Sequence, residues 1–196
     1  MDKAFSIVVA GHEKIDRTSI KEKDREITAY HEVGHTLVNM CMLPEDKVSK
    51  VTIIPSTKGA GGYTLSIPED NMYHNAEYLR RRIMVLFGGR AAEEIIFGKD
   101  YVTTGAYNDI KQATNIVAKM VTEYGMGNTL GLLSLNEINN SFNASSNELL
   151  DECKALTEKL YEETKELLMK ERNRLENITK ALLEKETLYY EDLIKM

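Results

Sequence analysis

His31 and His35 stand four residues apart in the stretch Tyr30-His31-Glu32-Val33-Gly34-His35, a spacing that suits a metal-binding helix. Residues i and i+4 of a helix share one face, one turn apart, so the two imidazoles can hold a single metal from one side. Glu32 projects at a neighbouring angle, where it can reach a metal-bound water rather than the metal. The chemistry implied is hydrolysis of an amide by activated water. The competing explanation is two surface histidines on an ordinary helix, and the flanking residues oppose it. Ile27, Tyr30, Gly34 and Val38 fall on the histidine side, while Val33, Leu37, Met40 and Cys41 form a second apolar side. Polar residues shrink to the stripe Thr28, Glu32, Thr36 and Asn39. A helix patterned this way is mostly buried, and two buried histidines without partners would be costly.

A catalytic zinc needs three protein ligands and one open position. The metzincin pattern is excluded, because Val38 and Cys41 stand where it requires Gly and His. Cys41 lies six residues past His35, roughly 9 Å along an unbroken helix and off its face, and reads as a core thiol. Glu93 and Glu94 are candidates, since a glutamate from a second helix completes thermolysin-like sites. Asp109 is another, heading a semi-buried line of residues, although an acid in a first helical turn also interacts well with the helix dipole. On spacing and physics these three carboxylates stand level.

The elements that must position these groups follow in order. A helix is predicted from about Lys21 to Met42, ended by Pro44. A β-branched run, Lys47 to Ile54, predicts a strand stopped by Pro55. After the glycine-rich turn at 58–62, the alternation Tyr63-Thr64-Leu65-Ser66-Ile67 predicts a half-exposed second strand. That turn lacks the G-x-x-x-x-G-K-[ST] form of a phosphate loop. Asn75 to Phe97 reads as a long helix, with Arg80-Arg81-Arg82 as a solvated face. Gly88-Gly89 in its middle costs about 1 kcal/mol per glycine against alanine, which predicts close approach of another backbone near Gly34. A capped helix follows Val102–Asp109 and runs to about Tyr124, with Gly125 as its stop and Ile110, Ala113, Val117, Val121 and Tyr124 as its core stripe. Residues 126–147 read as a loop with a short strand at Leu132 to Leu135. From Asn147 the chain is helical, with one stripe of Leu150, Cys153, Thr157, Leu160, Tyr161, Thr164 and Leu168 and another of Leu175, Ile178 and Leu182. Arg172-Asn173 is a candidate break, and Glu186 starts a short final element. The fold expected is mainly α: a helical domain over 21–196 with a small β-hairpin or sheet element and C-terminal helices, preceded by a connector at 1–20.

Bulk properties restrict the partners. The chain has 196 residues, 42% hydrophobic and 29% charged, as in ordinary globular domains. A net charge of -6 gives no broad electrostatic case for nucleic acid. Cys41 and Cys153 form no C-x-x-C and read as buried thiols of a reducing compartment. No run approaches the roughly 20 apolar residues that span a bilayer. Phe5 to Ala10 is too short for a signal peptide.

The chain resembles the proteolytic domain of FtsH-type membrane-associated AAA+ zinc proteases. The resemblance rests on Ala29-Tyr30-His31-Glu32-Val33-Gly34-His35, Lys50-Val51-Thr52-Ile53-Ile54-Pro55, Gly88-Gly89-Arg90-Ala91-Ala92-Glu93-Glu94 with Phe97-Gly98, Thr103-Thr104-Gly105-Ala106-Tyr107-Asn108-Asp109-Ile110, and Leu183-Glu184-Lys185-Glu186-Thr187-Leu188. It implies a mainly helical fold with a small β element and protease domains assembled as homo-hexamers. It also implies one zinc per chain, held by His31, His35 and Asp109, with Glu32 as general base. Val33 and Tyr107 depart from the family's usual residues, and Tyr107 is placed where it could alter the floor of the cleft. ATP, membrane attachment and a place on the cytoplasmic face of a bacterial membrane would come only through upstream transmembrane and AAA+ segments that these residues lack. Residues 1 to about 15 resemble the tail of that ATPase module, so the chain itself is expected to be a soluble fragment, with a free-standing homologue as the alternative. Unfolded or membrane polypeptides would be the substrates. The strand Gly62-Tyr63-Thr64-Leu65-Ser66 is expected to take them as an added β-strand. Two rivals remain in view: a silent ring-assembly module with structural or no zinc, and a thermolysin-like site completed by Glu93 or Glu94.

Overall fold

The computed structural model describes residues 21–57, 61–142 and 147–196. The predicted connector at 1–20 and most of the glycine-rich turn lie outside the described residues. The fold is mainly helical with one small sheet. The order is α1 (Glu22–Met42), β1 (Lys47–Thr52), β2 (Tyr63–Ile67), α2 (Ala76–Phe97), two short 3₁₀ turns at Lys99–Tyr101 and Thr104–Ala106, and α3 (Tyr107–Thr122). Then come α4 (Leu135–Phe142), α5 (Asn147–Lys170), α6 (Arg172–Lys185), β3 (Thr187–Tyr189) and α7 (Tyr190–Leu193).

Helix α1 is the central element. Everything from His31 to Asn39 is buried, polar stripe included. Asn39 helps close the helix: its side-chain amide donates to the carbonyls of Leu43 and Asp46 at 3.2 and 2.6 Å. That satisfies carbonyls a helix end otherwise leaves orphaned. Val33, Leu37 and Val38 join one apolar core with Ile83, Leu86 and Ala91 of α2, Val117 and Met120 of α3, Leu160 and Leu168 of α5, and Leu175, Ile178 and Leu182 of α6. Burying a side chain of this size contributes about 1.5–3 kcal/mol, so α1 is fixed from several directions.

The glycines of α2 account for the closest packing. A Cβ on Gly88 would stand 2.6 Å from the Gly34 carbonyl oxygen and 2.9 Å from the His35 nitrogen, and one on Gly34 would run into the Gly88 carbonyl. The two backbones touch where α1 and α2 cross, as the mid-helix pair predicts.

The sheet has the order β2-β1-β3, antiparallel throughout, with an irregularity between Val48 and Lys50. β1 is shorter than predicted, ending at Thr52 rather than Ile54. There the chain turns to receive the C-terminal segment: Ile53 N–H and the Thr52 hydroxyl both donate to the Glu186 carbonyl at 3.0 Å. Glu186 caps α6 in the left-handed conformation, φ 59°, and the turn it makes lays Leu188 opposite Val51.

Several expectations are corrected. No strand forms at Leu132–Leu135; Leu132 and Leu133 are exposed and Leu135 begins α4. α3 ends at Thr122, two residues before the predicted Tyr124, with Gly125 then at φ 62°. Ile110 and Tyr124 are exposed, because the buried face of α3 is Ala113, Val117, Met120 and Val121. On α5 it is Leu149, not Leu150, that is buried. The C-terminal helix divides at Glu171, just before the candidate break. Cys41 and Cys153 are free and half-buried rather than buried.

Replacing Gly88 by alanine separates two opposed expectations. Intrinsic propensity favours alanine by about 1 kcal/mol; overpacking at the crossing costs about 1–3 kcal/mol or more. The close contact makes G88A a net loss of stability, read as a lower midpoint in urea unfolding.

Candidate active site

The α1–α2 crossing determines what surrounds the histidines. With Gly88 seated on Gly34, the neighbouring Gly89 faces both rings: a Cβ there would lie 2.6 Å from the Nε2 atoms of His31 and His35. One turn earlier, the Val85 carbonyl accepts a hydrogen bond from His35 Nδ1 at 2.7 Å. One turn later, Glu93 Oε1 accepts from His31 Nδ1 at 2.6 Å. Each ring therefore has its Nδ1 engaged by α2, which leaves both Nε2 atoms facing the same space, 3.1 Å apart.

Asp109 supplies the third atom. It lies in the first turn of α3, and its Oδ2 is 3.5 Å from each Nε2. His31, His35 and Asp109 are the metal-competent cluster found among the described residues. Their separations match the edge of a tetrahedron built on bonds of about 2.0–2.1 Å, which is about 3.3 Å. Two imidazoles and one carboxylate, each with a donor turned to one point, fit a divalent zinc.

The other candidate carboxylates have different work. Glu93 is 1% exposed and does not face the triangle. Besides His31 it accepts from the Thr103 N–H at 2.6 Å and the Thr103 hydroxyl at 3.2 Å. Burial works against its charge, but the hydrogen bonds from His31 and Thr103 outweigh that and hold its pKa below the usual carboxylate range. Thr103 leads into the Thr104–Ala106 turn and then α3, so one buried carboxylate orients His31 and anchors the segment that carries Asp109. Glu94 points the other way, accepting from Tyr161 at 2.6 Å and pairing with Lys165 at 2.9 Å on α5. Cys41 packs against the core, its thiol pKa raised by burial.

The electrostatics agree with a cation site. Burial disfavours the His31 imidazolium, yet the carboxylates of Asp109 and Glu93 outweigh it and push its pKa up to about 10. Burial likewise opposes the Asp109 charge, and the two histidines more than offset it, holding that carboxyl well below its usual range. Glu32 is buried beside the triangle, and burial raises its pKa, with the histidines opposing. Its Oε2 accepts from the Thr64 hydroxyl at 3.0 Å.

A cleft of about 730 Å³ opens over these groups, lined by His31, Glu32, His35 and Asp109 on one side and by Gly62, Tyr63, Thr64, Leu65 and Ser66 on another. All five residues expected to take substrate border the same space as the triangle. β2 is an edge strand, paired with β1 on one side only among the described residues. Arg82 lines this cleft, while Arg80 and Arg81 pair with Glu77 on the surface. Tyr107 is exposed and is not among the residues lining the cleft, so it is no part of its floor. Sequence reasoning missed the roles of Val85, Gly89 and Thr103. For Gly89 the glycine pair was the signal; Val85 acts through a backbone carbonyl that carries no signature, and Thr103 through its N–H and hydroxyl together.

Among the described residues no helix is long and apolar enough to cross a membrane. The profile of peptidase family M41 matches residues 18–196. The chain is 46% identical over 193 residues to a protein named ATP-dependent zinc metalloprotease FtsH 1 from Alkaliphilus metalliredigens, covering 98% of this chain and 33% of that protein. It is 44% identical to the FtsH of Lachnoclostridium phytofermentans, covering 98% and 33%, and 40% identical to that of Bacillus subtilis, covering 98% and 32%. The chain thus spans about one third of the length of these relatives. A match over nearly every residue, with the His-Glu-x-x-His helix inside it, means that the chain belongs to peptidase family M41.

Proposed function

We propose that this chain is a zinc-dependent endopeptidase domain that hydrolyses peptide bonds of unfolded or membrane polypeptides. The observation that carries the reading is the triangle of His31 Nε2, His35 Nε2 and Asp109 Oδ2, with edges of 3.1 and 3.5 Å, beside the buried carboxylate of Glu32. Zinc held there would supply Lewis acidity, lowering the pKa of an attacking water towards about 7 and offsetting negative charge on the carbonyl oxygen. His31, His35 and Asp109 would hold the metal. Glu93 and the Val85 carbonyl keep the two rings in the tautomer that leaves each Nε2 free. Glu32 takes the proton of the attacking water and returns it to the leaving amine. Its raised pKa suits both halves of that transfer.

The substrate enters as an added strand on the free edge of β2, along Gly62 to Ser66. Backbone pairing tolerates many side chains, which suits degradation of unfolded chains. The relatives' names, ATP-dependent zinc metalloproteases, support a wider setting in which ATP dependence comes from segments outside this chain; assembly of protease domains as a homo-hexamer is a further part of the proposal. Nucleic acid has no place in this scheme.

Two measurements test the reading. Glu32→Gln retains about one zinc per chain and loses 10²–10⁴-fold in hydrolysis of an unstructured casein peptide, the usual range for a general base; equal cleavage by both chains excludes Glu32 as the base, and zinc without cleavage by either supports the silent assembly module. Metal content separates the carboxylates. Asp109→Ala is expected to lose zinc, Glu93→Gln to bind it 10–100-fold more weakly, and Glu94→Ala to bind it as wild type does. Zinc loss confined to a Glu93 or Glu94 variant would restore the thermolysin-like site.

A further inference from the structure

We propose that Thr64 of β2 is the positioning residue for Glu32, so that the strand offered to substrate also aims the base. This rests on Glu32 acting as the base.

Two contacts carry it. The Thr64 hydroxyl lies 3.0 Å from Glu32 Oε2 and 2.9 Å from the Glu32 backbone oxygen. The buried Thr36 hydroxyl stands 3.2 Å behind it. Thr64 has one proton to give, and an ionised carboxylate is the stronger acceptor. The consistent arrangement has Thr36 donating to the Thr64 oxygen and Thr64 donating to Oε2. That bond holds one oxygen of the carboxylate and leaves Oε1 for the cleft. The second contact is steric. β2 begins against the stem of the same side chain: a Cβ on Gly62 would lie 3.1 Å from Glu32 Cγ and 2.8 Å from Thr28 Cγ2. The bare backbone at Gly62 walls in the stem while the Thr64 hydroxyl holds the head.

The constraint matters because a base acts only within hydrogen-bond reach of the proton it takes, and an error of about 1 Å can cost 10²-fold. Glu32 is buried, and no other side-chain hydrogen bond reaches its carboxylate among the described residues. Without Thr64, its head is free to turn away from the metal. His31 and His35 are fixed from α2, so the metal triangle does not depend on this bond. Metal binding and aim of the base are thereby separable in this fold.

The experiment compares Thr64→Val, which keeps the shape and removes the donor, with Thr64→Ser, which keeps the donor. Zinc content, kcat and KM are measured on one fluorogenic peptide, alongside wild type, Glu32→Gln and the Glu32→Gln/Thr64→Val pair. T64V is expected to bind one zinc, keep KM and lose about 10–100-fold in kcat. T64S should stay within about threefold of wild type, and T64V should add nothing in the E32Q background. Without metal, T64V should lower the urea midpoint, and by less when Glu32 is replaced by alanine; this second readout does not need activity. A T64V chain with wild-type kcat beside an inactive E32Q overturns the proposal and leaves the hydrolytic reading standing. So does a T64V loss confined to KM or zinc content. An E32Q chain that cleaves like wild type removes the base assignment and the proposal with it.

Discussion

The contact on which the site depends is the one between the backbones of Gly34 and Gly88. Side chains on either helix would hold α1 and α2 at the usual 8–10 Å. The closer crossing brings the Val85 carbonyl and the Glu93 carboxylate to 2.7 and 2.6 Å from the imidazoles. The glycines therefore support the site without chemistry of their own. Their cost in helix propensity, about 1 kcal/mol each, is offset because the crossing converts α2 into a rack of acceptors at one-turn intervals. Val85, Gly89 and Glu93 are four residues apart, as are His31 and His35, and two matched periodicities laid side by side give each ring its own partner.

From that crossing the order passes outward through Glu93. Three donors converge on this buried carboxylate, from His31 and from the N–H and hydroxyl of Thr103. Breaking a buried charged hydrogen bond costs more than making it gains, so the turn at Thr104–Ala106 is tied to the His31 ring. Asp109 follows six residues after Thr103, already in α3. The metal triangle thus closes across two connections of different kinds: a packed glycine crossing and a polar hub.

The sequence made the helices legible because their burial patterns are long and periodic. α1 and α2 were predicted within a residue of their bounds for that reason. It failed where the deciding contact was distant. β3 exists because Thr52 and Ile53 meet Glu186, and nothing local in Thr187-Leu188-Tyr189 marks a strand. Leu132 to Leu135 has strand-like residues but finds no partner strand among the described residues. At the site, spacing identified His31, Glu32 and His35, since one helical turn is enough to specify them. It could not choose among Glu93, Glu94 and Asp109, because that choice is made by the direction in which two further elements face. Resemblance pointed to Asp109, and the geometry brings the three donors together while giving Glu93 and Glu94 other partners.

The same geometry explains why the site attracts positive charge. Glu93 and Asp109, whose partners hold both carboxyls below their usual range, stand against the two imidazoles where water screens little. Without metal, that field is relieved by a proton on His31, whose pKa rises to about 10 for this reason. One proton compensates only part of the charge. A dication at the triangle would compensate more, facing three donor atoms where the proton faces one. Metal binding would have to expel that proton, so affinity would fall as acid restores it. The carboxylates that hold His31 in readiness for metal are also the ones that make its apo form protonated, and the two states compete for one arrangement of side chains rather than requiring two.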